Sequence, residues 1–156
     1  MYLLNIIRIR FFNVLILLAI SSSAYAVKPA NVVVLMDQPD VTKQQQTVNM
    51  LYTTTWQMLD GEFDVRFTTP RISKVDEVYS DEDVDLVIAL GNSGAATIIQ
   101  RKVVEKPTIV VDQAGVAKAT GKPDTNVLGM SMQDSETSQV FIERVVVALR
   151  EKLRQK

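Results

Sequence analysis

The feature that most constrains the fold is residues 84–99, with the sequence VDLVIALGNSGAATII. It begins with the unbroken apolar run LVIAL at residues 86–90. A short run of this kind, rich in β-branched side chains, is typical of a strand that is buried on both faces of a parallel sheet. The glycine-bounded segment at residues 91–94 then predicts a sharp turn, and Asn92 or Ser93 can cap the helix that follows. The turn therefore follows the carboxyl end of a central strand, where open α/β sheets hold their ligands.

The rest of the chain alternates strand patterns with helix patterns. Strands are predicted at residues 31–37, 62–68, 86–90, 108–111 and 126–130, and helices at residues 41–60, within 69–83, after residue 94 and after a cap at residues 131–135. This alternation predicts a single three-layer α/β/α domain with a five-stranded, mostly parallel sheet. The simplest right-handed solution is the flavodoxin-like strand order 2-1-3-4-5. The second strand alternates apolar with charged residues, so we expect it at the sheet edge.

Two of the predicted helices carry apolar residues at helical spacing, which predicts one buried stripe on each. The first stripe consists of Val48, Leu51, Tyr52, Thr55, Trp56 and Leu59, and the second of Ile142, Val145, Val146, Leu149 and Leu153. Gly61 is placed to end the first of these helices. Val140, Phe141 and Val147 lie outside the second stripe, which leaves dimerisation through the last helix open.

The amino-terminal residues have the pattern of an export signal. Residues 1–26 combine Arg8 and Arg10, an apolar run at residues 11–20 and a small-residue ending at Ala24-Tyr25-Ala26. This pattern predicts a cleaved secretory signal peptide and a periplasmic domain at residues 27–156. The alternative is an uncleaved membrane anchor, although the apolar run is shorter than the ~20 residues that span a bilayer.

Composition argues against several classes of function. The formal net charge is −1, and it falls to −3 when residues 1–26 and their two arginines are removed, which argues against binding nucleic acid. The chain contains no His and no Cys, so it lacks the usual general base and thiol nucleophile, and it can be neither disulfide-bonded nor a lipoprotein. Ser93 lies in a sequence with the outline of a nucleophile elbow, but a Ser-His-Asp triad cannot be built without histidine. We therefore expect a protein that is not an enzyme and uses no cofactor.

Polar residues follow three of the predicted strands at the point where each strand ends. These residues are Asp37 and Gln38 after the first strand, Asn92, Ser93 and Gly94 after the third, and Asp112 and Gln113 after the fourth. Together they predict a polar rim suited to a small polar ligand. Asp37 and Asp112 could ligate a metal, but two carboxylates without a third ligand are a weak signal for a metal site. The 91–94 turn is a still weaker signal for a phosphate-binding loop, because it has only two glycines and no P-loop lysine. A phosphorelay receiver also places Asp at strand ends, but export argues against that cytoplasmic role.

The segment at residues 84–114, followed by a loop with Gly and Pro and by NVLGMSM at residues 126–132, resembles a known family. It is similar to the amino-terminal lobe of ABC-transporter periplasmic substrate-binding proteins of the tryptophan/tyrosine type, which have the type I periplasmic-binding-protein-like fold. The family also has a short apolar strand that runs into a glycine turn and helix, then a strand led by Pro, then an N-V-x-G-x-S segment before a helix. The resemblance covers residues 31–149.

The resemblance implies a solute-binding module of a transport or other envelope system. In the family the ligand lies between two lobes, and turns after the strands of the amino-terminal lobe contact it, which points to the seven rim residues. The family continues into a second lobe and this sequence ends at Lys156, so closure of two lobes around a ligand is not expected from this chain alone. A partner or a second copy would then complete an open half-site. The alternative is an accessory protein of an envelope complex that has lost the ligand and binds a membrane transporter or another envelope protein.

Overall fold

The computed structural model describes residues 27–36, 42–91, 98, 104–112 and 126–155. Five strands form one sheet in the order β2-β1-β3-β4-β5, and every neighbouring pair is parallel. The strands are β1 (Lys28–Leu35), β2 (Phe63–Thr68), β3 (Leu86–Leu90), β4 (Thr108–Asp112) and β5 (Val127–Ser131). The predicted order and the predicted edge position of the second strand are confirmed.

Within the described ranges, three α-helices with defined bounds connect or follow these strands. They are α1 (Thr42–Leu59), α2 (Val75–Ser80), which follows a 3-10 turn at Ile72–Lys74, and α3 (Ser138–Arg154). Gly61 lies two residues after the end of α1 and has a positive φ of 81°, a conformation that glycine adopts without steric cost. Thr137 caps α3, because its side chain accepts a hydrogen bond from the Val140 N–H. None of the helices in the described ranges has both the length and the apolarity needed to cross a membrane.

Helices cover both faces of the sheet. On one face α1 and α3 pack side by side over the even-numbered core residues of β1 and β3, such as Val34 and Ile88. On the other face Val78 and Tyr79 of α2 join Val87, and Ile98 is buried in the same cluster. The apolar run of β3 is buried along its whole length because it lies between these two layers. The predicted three-layer arrangement is therefore present.

Backbone and side-chain hydrogen bonds fix the register of β1 against β3 at their amino ends. The Asn31 N–H donates to Asp85 Oδ2 at 2.8 Å, and the Asp85 N–H donates to the Asn31 carbonyl at 2.8 Å. The Asn31 side-chain amide also donates to the Asp83 carbonyl at 3.0 Å. This contact joins residues that are far apart in sequence and holds the two central strands in one alignment.

The structure corrects two predictions about burial. Trp56 is not part of the α1 stripe: it is 70% exposed, whereas Thr54 is buried in its place. Phe141, which the spacing placed outside the α3 stripe, is buried, while Val140 and Val147 are exposed as predicted. The difference in α1 arises from its helix neighbour. The flank of α1 that carries Thr54 packs against α3, where Gln139 lies 3.5 Å from the Thr54 hydroxyl.

Two predicted boundaries also differ. The first strand begins at Lys28 and not at residue 31, because residues 28–30 also pair with β2, from Phe63 onward. The last helix begins at Ser138, after the cap at Thr137, and not after residues 131–135. The predicted signal peptide and most of the helix after the 91–94 turn lie outside the described residues.

Candidate functional site at the carboxyl edge of the sheet

The register of the sheet brings the carboxyl ends of the three inner strands to one level. Leu35 of β1 pairs with Ala89 of β3, and Ala89 pairs with Val110 of β4. From β1 the chain goes out to β2 on one side and returns to form β3 on the other side. The strand order therefore reverses between β1 and β3, and such a switch point is the usual ligand position in open α/β sheets.

The structure describes only part of the predicted rim. Asp112 is the last residue of β4, and its backbone pairs with Ser131 of β5 at the carboxyl edge. The other six predicted residues lie outside the described residues, namely Asp37, Gln38, Asn92, Ser93, Gly94 and Gln113. In the sequence Asp37 directly follows Met36, and Asn92 directly follows Gly91, and both of these neighbours are described.

The turn after β3 begins with a backbone conformation that favours glycine. Gly91 has a positive φ of 80°, in the left-handed region that side chains with a Cβ rarely adopt. This conformation explains the choice of glycine at residue 91. The rest of the predicted turn, residues 92–94, lies outside the described residues.

Arg71, which the sequence does not indicate as a site residue, pairs through its backbone near the carboxyl end of β1. The backbone of Arg71 pairs with Met36 in the continuation of the β1–β2 register, and the Ile72 N–H donates to the Met36 carbonyl at 3.1 Å. Arg71 is exposed. Its position could not be predicted, because residues 69–83 are weakly periodic and nothing in them indicates that pairing continues beyond β2.

The end of β5 is occupied by a structural ion pair. Arg144 donates to the Ser131 carbonyl at 3.0 Å, and its guanidinium lies 2.8 Å from the carboxylate of Glu136, whose side chain is only 6% exposed. That carboxylate also accepts the Gln133 N–H at 3.0 Å, and the guanidinium carbon lies 5.5 Å from the centre of the Phe141 ring. These contacts fasten the β5–α3 connection. They also engage Arg144, so we do not assign it to a ligand.

The open groove that the described residues form lies elsewhere. It has a volume of about 590 Å³ and lies on the face of the sheet opposite α1 and α3, because the short helix α2 leaves part of β1 and β2 uncovered. Its apolar floor and charged rim include Val33, Val78, Val84, Lys74, Glu77 and Asp81.

Three charged side chains of this groove have partners within the chain. Lys74 pairs with Glu77 at 3.1 Å, and the Asp81 carboxylate accepts the Asp83 N–H at 3.0 Å. Since these contacts already use charged side chains of the groove, we place the candidate site at the carboxyl edge on the strand-end argument. In the described part of the chain no three acidic residues come together as metal ligands would.

No protein-family model matches the chain, and no curated protein matches it significantly. The strand order and the residues at the carboxyl edge are therefore the observations that bear on its function.

Proposed function

We propose that this chain is a non-catalytic binding module that holds a small polar ligand at the carboxyl edge of its sheet. The observation that supports this function is the similar level of the strand ends: β1, β3 and β4 are neighbours, and in register they end within two residues of one another. A polar residue lies at or just after the end of each of the three strands in the sequence. Asp37 is the first polar residue after β1, Asn92 follows Gly91 after β3, and Asp112 is the last residue of β4. In α/β sheets this edge at the switch point is the usual binding position.

The residue types that the sequence supplies at these strand ends suit a ligand that carries both acceptor and donor groups. The carboxylates of Asp37 and Asp112 accept hydrogen bonds from an ammonium or hydroxyl group. The guanidinium of Arg71 offers paired donors to a carboxylate. We therefore propose a small zwitterionic or polyhydroxylated solute, held by the chain as an exported, periplasmic solute-binding-protein-like module of a transport or other envelope system.

Native mass spectrometry tests the ligand. The protein is produced from its full sequence, so that its intact mass also reports whether residues 1–26 are removed, and it is purified under mild conditions. We expect a small-molecule mass that stays with the folded protein and is lost in Asn92→Ala and in Asp112→Asn. Asp60→Asn, which removes one exposed acid at the end of α1, is the matched control and keeps the ligand.

Thermal stabilisation gives an independent readout. A solute that binds only the folded chain raises the free energy of unfolding by about 2.7 kcal/mol at a concentration of 100 times its Kd. A metabolite panel that includes amino acids and sugars should contain a solute that stabilises the wild-type protein in a saturable way but not the Asp112→Asn variant. A bare mass together with no stabilisation by any member of the panel would contradict the ligand proposal.

A second candidate function is an accessory protein that binds another envelope protein in place of a solute. Exposed apolar side chains on the helical layer favour it: Trp56 is 70% exposed, Val140 48% and Val147 45%. Crosslinking in intact cells tests this function. Capture of one envelope protein by the wild-type chain, with loss of capture in the Val140→Gln/Val147→Gln variant, would support it. A chain that crosslinks to nothing would count against it.

A further inference from the structure

The outer edge of β2 has no strand beside it among the described residues, because β2 is the first strand in the sheet order. An edge strand of this kind presents unpaired backbone N–H and C=O groups, and folded proteins usually guard such edges with charged side chains. In β2 the exposed charged residues are Asp64 and Arg66, which form a salt bridge with each other at 2.8 Å. Their side chains remain 50% and 67% exposed, so both can contact a second molecule.

The sequence of β2 is symmetric in a way that fits an antiparallel copy of itself. Residues 63–67 read FDVRF, with Val65 at the centre, an aromatic residue at each end and charges of opposite sign between. If two copies pair antiparallel around Val65, Asp64 lies opposite the partner's Arg66 and Arg66 lies opposite the partner's Asp64. On the other face Phe63 lies opposite the partner's Phe67. Directly opposed side chains in such a pair have their Cβ atoms about 4.5–5.5 Å apart, which allows both ion pairs and aromatic contacts.

This alignment is selected over its neighbours by charge. A shift by two residues in one direction places Asp64 opposite the partner's Asp64, and a shift in the other direction places Arg66 opposite the partner's Arg66. Like charges directly opposite each other destabilise a strand pair. Only the alignment centred on Val65 satisfies both charges.

The exposed tryptophan lies beside the same edge. Tyr52 of α1 stacks on Phe67 of β2 with 4.6 Å between ring centroids, so this flank of α1 lies over β2. One helical turn, about 6 Å along α1, leads from Tyr52 to Trp56. The two residues from Phe67 back to Val65 span a similar distance along β2, about 6.6 Å. Trp56 therefore lies near the level of Val65. Trp56 is the only tryptophan of the chain and the most exposed of its large apolar side chains in the described part.

We propose that β2 is a homodimerisation strand: two copies of this chain pair antiparallel through β2 around Val65, with reciprocal Asp64–Arg66 contacts on one face and Trp56 beside the junction on the other. The interface is isologous, since the same residues serve both subunits. The two sheets join into one continuous sheet of two sets of five parallel strands. Because the two β2 strands run in opposite directions, the carboxyl edges of the subunits point to opposite ends, and the second copy does not complete the ligand site of the first.

Charge exchange tests the pairing directly. We expect sedimentation equilibrium of the protein produced from its full sequence to give a dimer. Asp64→Arg and Arg66→Asp each place four like charges at the junction, and each should weaken dimerisation by about tenfold or more. The double variant Asp64→Arg/Arg66→Asp restores both opposite pairs and should dimerise like the wild type. An equimolar mixture of the two single variants should form a heterodimer, because each then supplies the charge that the other lacks.

Control variants separate this effect from a loss of folding. Lys74→Glu and Glu77→Lys disturb another exposed ion pair, at 3.1 Å between the 3-10 turn and α2, and should leave the dimer unchanged. Circular dichroism should show the same fold for all variants. Trp56 fluorescence should shift to longer wavelength when the wild-type dimer is diluted, as the indole becomes hydrated, and it should already be shifted in each single charge variant.

Three outcomes would overturn the proposal. The first is a wild-type chain that stays monomeric at millimolar concentration. The second is a dimer that both single charge variants retain but that Val140→Glu/Val147→Glu abolishes, which would assign the contact to α3. The third is a mixture of the single variants that remains monomeric, since reciprocal charge pairing requires the heterodimer.

Discussion

The hydroxyl oxygens of Tyr79 and Thr108 lie 2.6 Å apart in the buried layer between α2 and the sheet. Thr108 also donates its proton to the Lys106 carbonyl at 2.9 Å, so the proton between the two hydroxyls comes from Tyr79. Both residues are almost fully buried, and Thr108 is the first residue of β4. The bond therefore ties the short helix α2 to an inner strand whose core contacts are otherwise apolar.

Removal of this bond should lower stability measurably. Tyr79→Phe keeps the ring and deletes the donor, so we expect a loss of about 1 kcal/mol in the free energy of unfolding by urea. Ser80→Ala removes a neighbouring exposed hydroxyl, which donates to the Glu77 carbonyl at 2.9 Å within α2, and should change stability by less than about 0.5 kcal/mol. Equal effects of the two substitutions would show that the buried bond makes no net contribution.

The packing of α3 on its own sheet can be tested by truncating side chains on its two faces. Leu149 is fully buried, whereas Val147 is 45% exposed on the outer face. Leu149→Ala should cost about 3 kcal/mol, because it removes buried apolar surface and leaves a cavity. Val147→Ala should stay within about 0.5 kcal/mol. Urea denaturation of both variants at several protein concentrations checks this, and a small effect of Leu149→Ala would mean that α3 does not pack as described.

The end of α1 depends on the backbone conformation of Gly61. Its φ is 81°, and a Cβ placed there would meet no atom within 4 Å, so the cost of a side chain is conformational and not steric crowding by neighbours. Gly61→Ala should lower the free energy of unfolding by about 1 kcal/mol. Gly61→Asn should cost less, because Asn tolerates the left-handed conformation better than Ala does. Thermal unfolding of the two variants should show this order, and the reverse order would contradict it.

Tyr52 should make stability depend on pH in the alkaline range. Burial raises the pKa of Tyr52 above its ordinary value of 10.0, and the hydrogen bond with Thr69 lowers it in partial compensation. The folded chain therefore holds the phenol proton more tightly than the unfolded chain does. The resulting stabilisation is complete below the ordinary pKa and is lost as the pH rises through the raised one. Urea unfolding across that range should show a shallower decline for Tyr52→Phe than for the wild type, and identical slopes would exclude the effect.

Much of the fold could be predicted because its signals are local. The run LVIAL and the turn at Gly91 indicate a buried parallel strand, and right-handed crossovers then leave few strand orders. Trp56 could not be placed in this way. Helical spacing gives the width of an apolar stripe but not which flank has a neighbour, and here α3 covers the flank of Thr54 while Trp56 is left 70% exposed.

The candidate site could be predicted in part for a similar reason. Residues at strand ends follow from the strand boundaries, so the sequence predicts Asp112 at the edge where its backbone lies. Arg71 depends on a pairing with Met36 that continues after β2 has ended, and it is a contact between residues remote in sequence. No periodicity signals such a contact. The position of Arg71 at the carboxyl edge is therefore set by a non-local backbone pairing, and not by local propensity.

The all-parallel sheet also has a consequence for how the chain reaches its native state. No neighbouring strands can form as a hairpin: Val32 of β1 must find Phe67 of β2 on one side and Leu86 of β3 on the other. The entropy of closing these long loops is lost before the contacts are gained, so a chain of such high contact order should fold more slowly than a helical bundle of its size. During that interval the NVVVL segment of β1 has only one of its two neighbours. It is therefore the part of the nascent chain that we expect to be most prone to aggregation.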